Sequence, residues 1–122
     1  MKRLPDTELE VMKAVWACGE KASRAELEQH LTAFCWSANT VNTYLARLKQ
    51  KGYVEVERCG RDNFYTALVS REDYLAFDSR STVDRLYGSP RNFIAALARG
   101  GMDSEEVDQL KALLDRLEEH NA

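Results

Sequence analysis

A chain of 122 residues is the size of one ordinary domain or of two small modules sharing a core, which excludes most multidomain enzymes. Hydrophobic residues make up 44% and charged residues 30%, with six glycines and two prolines, the composition of a folded globular protein rather than a disordered tail. The net charge of −3 argues against a bulk polyanion binder, but it is unevenly spread: from Gly101 onward seven acidic residues face only Lys111 and Arg116, a balance of −5, which leaves +2 for residues 1–100.

No apolar run approaches the ~18 residues of a membrane span, and Met1-Lys2-Arg3-Leu4-Pro5 leads into charged residues without a secretory apolar stretch, so a cytoplasmic protein with no membrane partner is expected. Three widely spaced cysteines, Cys18, Cys35 and Cys59, fit neither a disulfide framework nor a paired metal site, and are expected as reduced thiols.

In chain order, Pro5 and Asp6 precede Leu9, Met12 and Trp16 at helical spacing, with Val11 and Val15 widening the stripe, which predicts a first helix ending near Gly19. Ser23 with Glu26 is a capping-box signature for a short second helix carrying Leu27 and Leu31. Ser37 can cap a third helix whose inner face is Val41, Tyr44, Leu45 and Leu48 and which Gly52 ends. From Tyr53 the period changes to two, and Cys59-Gly60-Arg61-Asp62-Asn63 separates two apolar runs, a hairpin. Ser70 with Asp73 opens a fourth helix that breaks at Gly88-Ser89-Pro90. A short apolar helix over Asn92 to Arg99 then stops at Gly100-Gly101, and a last helix begins at Ser104 with Val107, Leu110, Leu114 and Leu117 on one stripe and an acidic outer face.

Three helices followed by a two-stranded ribbon is the element order of a winged helix-turn-helix, so the expected fold is mostly α: a DNA-binding module over residues 1–70 and a helical region over 71–122. About 50 residues are near the lower limit for a self-sufficient core, so the last three helices either pair with a partner chain or fold back on the first module.

On the third helix, Asn39, Thr40, Asn42, Thr43, Arg47 and Lys51 fall mostly on the face opposite Val41, Leu45 and Leu48. These residue types are able to hydrogen-bond base edges in the major groove, while Arg58 and Arg61 near the ribbon tip would reach phosphate or the minor groove. The sequence holds no G-x-S-x-G, no phosphate-cradling glycine loop and no H-E-x-x-H, so no enzyme, cofactor or metal site is expected. Of the cysteines, Cys59 lies beside Arg58 and Arg61 in a cationic setting that favours a thiolate, and His30 near Cys35 is too sparse a pair for zinc; small apolar roles outweigh sensing ones for all three. A competing reading is a protein-interaction module that uses the acidic last helix without any affinity for duplex DNA.

The chain resembles the BlaI/MecI/CopY family of bacterial repressors, which control β-lactam resistance and copper homeostasis genes. The resemblance is carried by Leu9-Glu10-Val11-Met12 through Trp16, by Thr40-Val41-Asn42-Thr43-Tyr44-Leu45-Ala46-Arg47-Leu48 with Lys51-Gly52, by Tyr65, and by Leu86-Tyr87-Gly88. It implies a homodimer on a palindromic double-stranded operator, joined through the C-terminal helices at Leu75, Val83, Leu86, Phe93, Leu97, Val107, Leu110, Leu114 and Leu117, with DNA contacts at Asn39, Thr40, Asn42, Thr43 and Arg47 and a wing at Arg58 and Arg61. The departures concern induction. The Asn-Phe bond cut in the β-lactam branch aligns with Ala96-Leu97, Asn92-Phe93 sits about one turn early, and the clustered C-x-C motifs of the copper branch have no counterpart. The upstream sensor or protease is therefore not written in the sequence. Asn39 and Asn42 stand where basic residues are common, which implies a different operator.

Overall fold

The computed structural model describes residues 1–121. They run as helix α1 (Asp6–Ala17), a two-residue strand β1 (Ala22–Ser23), α2 (Arg24–His30), a 3-10 turn (Thr32–Phe34), α3 (Ala38–Gln50), strands β2 (Val54–Cys59) and β3 (Asp62–Ala67), α4 (Arg71–Thr82), a π turn (Val83–Tyr87), α5 (Pro90–Gly100) and α6 (Ser104–Asn121). This is the mostly helical winged helix-turn-helix expected, with a small sheet as its wing.

Local chemistry sets the helix starts. The Ser23 hydroxyl accepts the Glu26 N–H while the Glu26 carboxylate accepts the Ser23 N–H, each at 3.2 Å, so two otherwise unpaired donors of α2 are satisfied. Ser37 accepts the Thr40 N–H at 3.2 Å at the head of α3, and Ser70 accepts the Asp73 N–H at 3.0 Å at the head of α4. The last helix begins at Ser104 as expected, and it is capped by the residue before, Asp103, whose carboxylate accepts the Glu106 N–H at 2.8 Å.

Residues Met1–Ser79 form one compact unit and Arg80–Ala122 a second. The first therefore extends past residue 70, because Tyr74 of α4 is 1% exposed within its core. That core joins Val11, Met12 and Val15 of α1, Leu27 of α2, Val41, Leu45 and Leu48 of α3, and Tyr53, Val54 and Tyr65 of the wing. The sheet order is β1-β3-β2, all antiparallel, with Val56 opposite Tyr65 and Ala22 opposite Tyr65 on its other side.

The N-terminal segment is tied to this core by two phenols. The Tyr53 hydroxyl donates to the Lys2 carbonyl, and the Leu4 N–H donates to the Tyr74 hydroxyl at 3.0 Å. Burial pushes the Tyr53 phenol up to about 12, with Tyr74 and Asp78 adding to it, and burial raises Tyr74 as well. The folded state thus disfavours the phenolate, so the stabilisation from Tyr53 is complete below the unfolded value of about 10 and is lost as the pH rises toward 12. Thermal stability is expected to fall across that alkaline window and to fall less steeply in Tyr53→Phe. An alkaline profile identical to the wild type in that variant would remove Tyr53 as its source.

The second unit is built differently. In it no side chain among residues 80–120 is buried. Its first turn departs from the continuous helix expected up to Gly88: the Gly88 N–H donates to the Val83 carbonyl at 2.7 Å, an i to i−5 bond that widens the backbone into a π turn. Ser81, Thr82 and Val83, weak helix formers, lie where the widening begins. The Asn92 side-chain amide then donates to the freed Tyr87 carbonyl at 2.9 Å, and Phe93 meets Tyr87 edge-on with ring centroids 5.0 Å apart.

Candidate nucleic-acid interface

The amphipathic pattern of α3 decides which residues it presents. Val41, Leu45 and Leu48 are buried, with Tyr44 half-buried beside them, and this pins the opposite face outward. Asn39, Asn42, Thr43 and Arg47 are exposed on that face, and Thr40 is half-buried. Ala46 and Gln50 are exposed as well and continue the stripe from Asn42 by steps of four. Neither is among the residues expected from the sequence. The signal was the same helical spacing, and Ala46 is a small residue of the kind that touches a thymine methyl.

The hydroxyls of the two threonines are partly used inside the helix. Thr43 donates to the Asn39 carbonyl at 3.0 Å, and Thr40 shares a 2.9 Å hydrogen bond with Ser37. Asn39, Asn42 and Arg47 are thus the side chains best able to read donor and acceptor patterns, and the threonines add methyl contact and acceptor capacity.

Both ends of α3 are held by charged side chains from other helices. At its head the Arg24 guanidinium donates to the Ala38 carbonyl at 3.1 Å, with Glu28 3.6 Å away. At its foot Lys51 Nζ lies 2.6 Å from Glu8 Oε1, and Glu8 is only 2% exposed. Lys51, expected among the DNA contacts by its spacing, thus has its charge paired with a buried carboxylate from α1. Gly52 follows with φ +82, the left-handed conformation that ends the helix there, and the Tyr53 N–H closes back on the Leu48 carbonyl at 2.9 Å.

The wing pairs Val54 with Ala67 through to Cys59 with Asp62. Gly60, at φ +66, is the first central residue of a two-residue turn, a position with a backbone that side chains with a Cβ rarely adopt. Arg58 donates back to the Gly60 carbonyl at 3.2 Å, so its guanidinium lies over the turn, and Arg61 is exposed at the tip. Lys21, before β1, pairs with Glu57 of β2 at 3.0 Å, an exposed bridge of little energetic weight that offsets one of the wing's carboxylates.

The thiols divide by exposure. Burial, with a smaller contribution from Glu26, pushes the Cys18 thiol up and disfavours its thiolate, whereas Cys35 and Cys59 are exposed. Among the described residues no group of three His, Cys, Asp or Glu side chains is placed to hold a metal ion. No helix among them is long and apolar enough to cross a membrane.

The residues expected along the C-terminal helices fall into two sets. Val83, Phe93, Val107 and Leu110 are half-buried in the single chain. Leu75, Leu86, Leu97, Leu114 and Leu117 are exposed, from 43% at Leu97 to 64% at Leu86, and Leu113 joins them at 47%.

Residues 4–116 match the family model described as the penicillinase repressor. The chain belongs to the penicillinase repressor family. Its members are DNA-binding transcriptional repressors and not enzymes. Among its relatives, the penicillinase repressor of Bacillus licheniformis is 31% identical over 120 residues, covering 94% of each chain. The methicillin resistance regulatory protein MecI of Staphylococcus aureus strain N315 is 21% identical over 115 residues, covering 93% of this chain and 94% of that one. Among solved structures, the DNA-binding domain of the repressor BlaI is 35% identical with a TM-score of 0.52, covering 61% of this chain and 94% of that domain.

Proposed function

We propose that this penicillinase repressor family member acts as a homodimer on a palindromic operator, each α3 reading one half-site from the major groove while each wing lies on the flanking backbone. The observation that carries the reading is the α3 face itself. Asn39, Asn42, Thr43, Ala46 and Arg47 stand exposed on a helix whose other side is locked into a core. A solvated face needs no such rigid presentation, whereas base readout does.

What the second unit lacks supports dimerisation. A stretch of about 40 residues with half-exposed leucines and no buried side chain does not supply its own core, and a second copy would cover those leucines. One recognition helix reads only a few base pairs. Linking two raises affinity through effective concentration and fixes the half-site spacing, so anything that parts the subunits releases the DNA.

The test is a footprint on DNA upstream of the protein's own gene at two salt concentrations, with an unrelated duplex as competitor. A protected two-fold site that survives the competitor is expected. Arg47→Ala should weaken binding to that site by about thirtyfold or more with the dimer intact, since the two-fold site loses one base-edge contact in each half. Unchanged affinity would remove Arg47 from the contact set, and absence of duplex binding even at low salt would favour an interaction module built on the acidic α6.

A further inference from the structure

We propose that Glu8 and Lys51 form a positioning pair for DNA reading: the buried carboxylate on α1 fixes the axial position and rotation of the last turn of α3, and with it the place at which Arg47 meets the operator. The inference rests on the role of α3 argued above.

Glu8 is the one buried charged side chain among the described residues, at 2% exposed, and its partner Nζ sits 2.6 Å away. An apolar core of that size does not need such a pair for stability, since burying a carboxylate costs free energy that apolar residues of similar volume would not incur. What the pair adds is direction. Val41, Leu45 and Leu48 pack through non-directional apolar contacts that set which face of the helix is turned inward, and a short charge-assisted hydrogen bond adds a defined distance and direction to them.

The route to the reading face is short. The Lys51 N–H donates to the Arg47 carbonyl at 3.0 Å, so the backbone of Arg47 is bonded directly to that of the residue Glu8 holds. Ser37 and Arg24 fix the other end, at the Thr40 N–H and the Ala38 carbonyl. At the foot Leu48 is buried and the Tyr53 N–H closes on its carbonyl, the Glu8–Lys51 bond adds the ionic contact there, and Arg47 is the reading residue nearest to it.

Glu8→Gln alone would leave Lys51 without its counter-charge and would confuse stability with position. The informative variant is the full chain carrying Glu8→Leu with Lys51→Met, which replaces the pair by apolar side chains of similar length. Thermal melting and sedimentation are expected to match or exceed the wild type, while operator affinity falls by about tenfold or more. The slope of log affinity against log salt should stay unchanged, because no phosphate contact is lost. Adding Arg47→Ala should cost less in this background than in the wild type, which marks the pair as acting through Arg47.

Wild-type affinity in a stably folded double variant would overturn the proposal, and so would loss of folding, since the pair would then serve the fold itself. A fall in the salt slope of about 1.8, one phosphate's worth in each subunit, would overturn it in favour of a direct Lys51 contact. The wild type is titrated on the same operator in parallel. If it fails to bind, the repressor reading fails and the pair is not at fault.

Discussion

Leu114→Asp is expected to abolish operator protection at concentrations where the wild type saturates its site, while leaving residues 1–79 folded. Leu114 is 52% exposed, on an α6 stripe with Leu110 and Leu117, so a carboxylate there meets water in a single chain and destabilises it little. In a dimer that covers this stripe the same carboxylate is buried without a cation, and two-fold symmetry places it in the seam twice. The cost is about 3 kcal/mol or more per subunit, enough to shift a dimer of moderate affinity to monomer. Loss of the second recognition helix then lowers operator affinity by roughly hundredfold or more, since effective concentration no longer assists binding. Sedimentation and footprinting with the wild type as reference check both steps. A variant that remains dimeric with unchanged self-affinity would place the interface elsewhere, and a monomer that still binds the operator as tightly would break the link between dimer and DNA.

Leu114 is a better probe than Leu110. Leu110 is half-buried in the single chain, so a charge there would also disturb packing without any partner. The exposed positions Leu86, Leu97 and Leu113 are expected to behave like Leu114 wherever they lie in the same seam.

What the sequence revealed and what it withheld divide along contact range. The caps at Ser23, Ser37 and Ser70 are bonds between residues three apart, and a pattern of Ser followed by a residue three positions on announces them. The inner face of α3 follows from helical periodicity alone, and with it the outward set of Asn39, Asn42, Thr43 and Arg47. Strand β1 was not legible, because two residues become a strand only by pairing Ala22 with Tyr65 and Ser23 with Phe64 far along the chain. The Glu8–Lys51 pair joins residues 43 apart, so nothing near Lys51 distinguishes a cation aimed at DNA from one turned to a buried carboxylate. Asn39 and Thr43 were legible as a face, but the bond from the Thr43 hydroxyl to the Asn39 carbonyl, which limits what that threonine can read, depends on a rotamer and not on spacing.

Leu27→Ala is expected to produce the largest loss of stability of any single truncation in α2 and to release that helix selectively. At seven residues α2 is too short to persist by its own hydrogen bonds, and within it only Leu27 is buried, at 0% exposed. The capping box satisfies the first donors but carries no tertiary contact, so attachment to the core depends on this side chain and on Leu31, 4% exposed, just past the helix end. Truncating a fully buried leucine removes its transfer free energy and leaves a cavity, together about 2 to 5 kcal/mol, a large share of the roughly 5 to 15 kcal/mol that holds a domain together. Because Arg24 of α2, paired with Glu28 of the same helix, donates to the head of α3, operator affinity should fall along with stability. Urea unfolding measures the global loss, and amide exchange resolves where it falls: protection in α2 should drop first, ahead of α1 and α3. A destabilisation below about 1 kcal/mol would mean that the core closes over the missing side chain and that α2 is held mainly by its polar contacts.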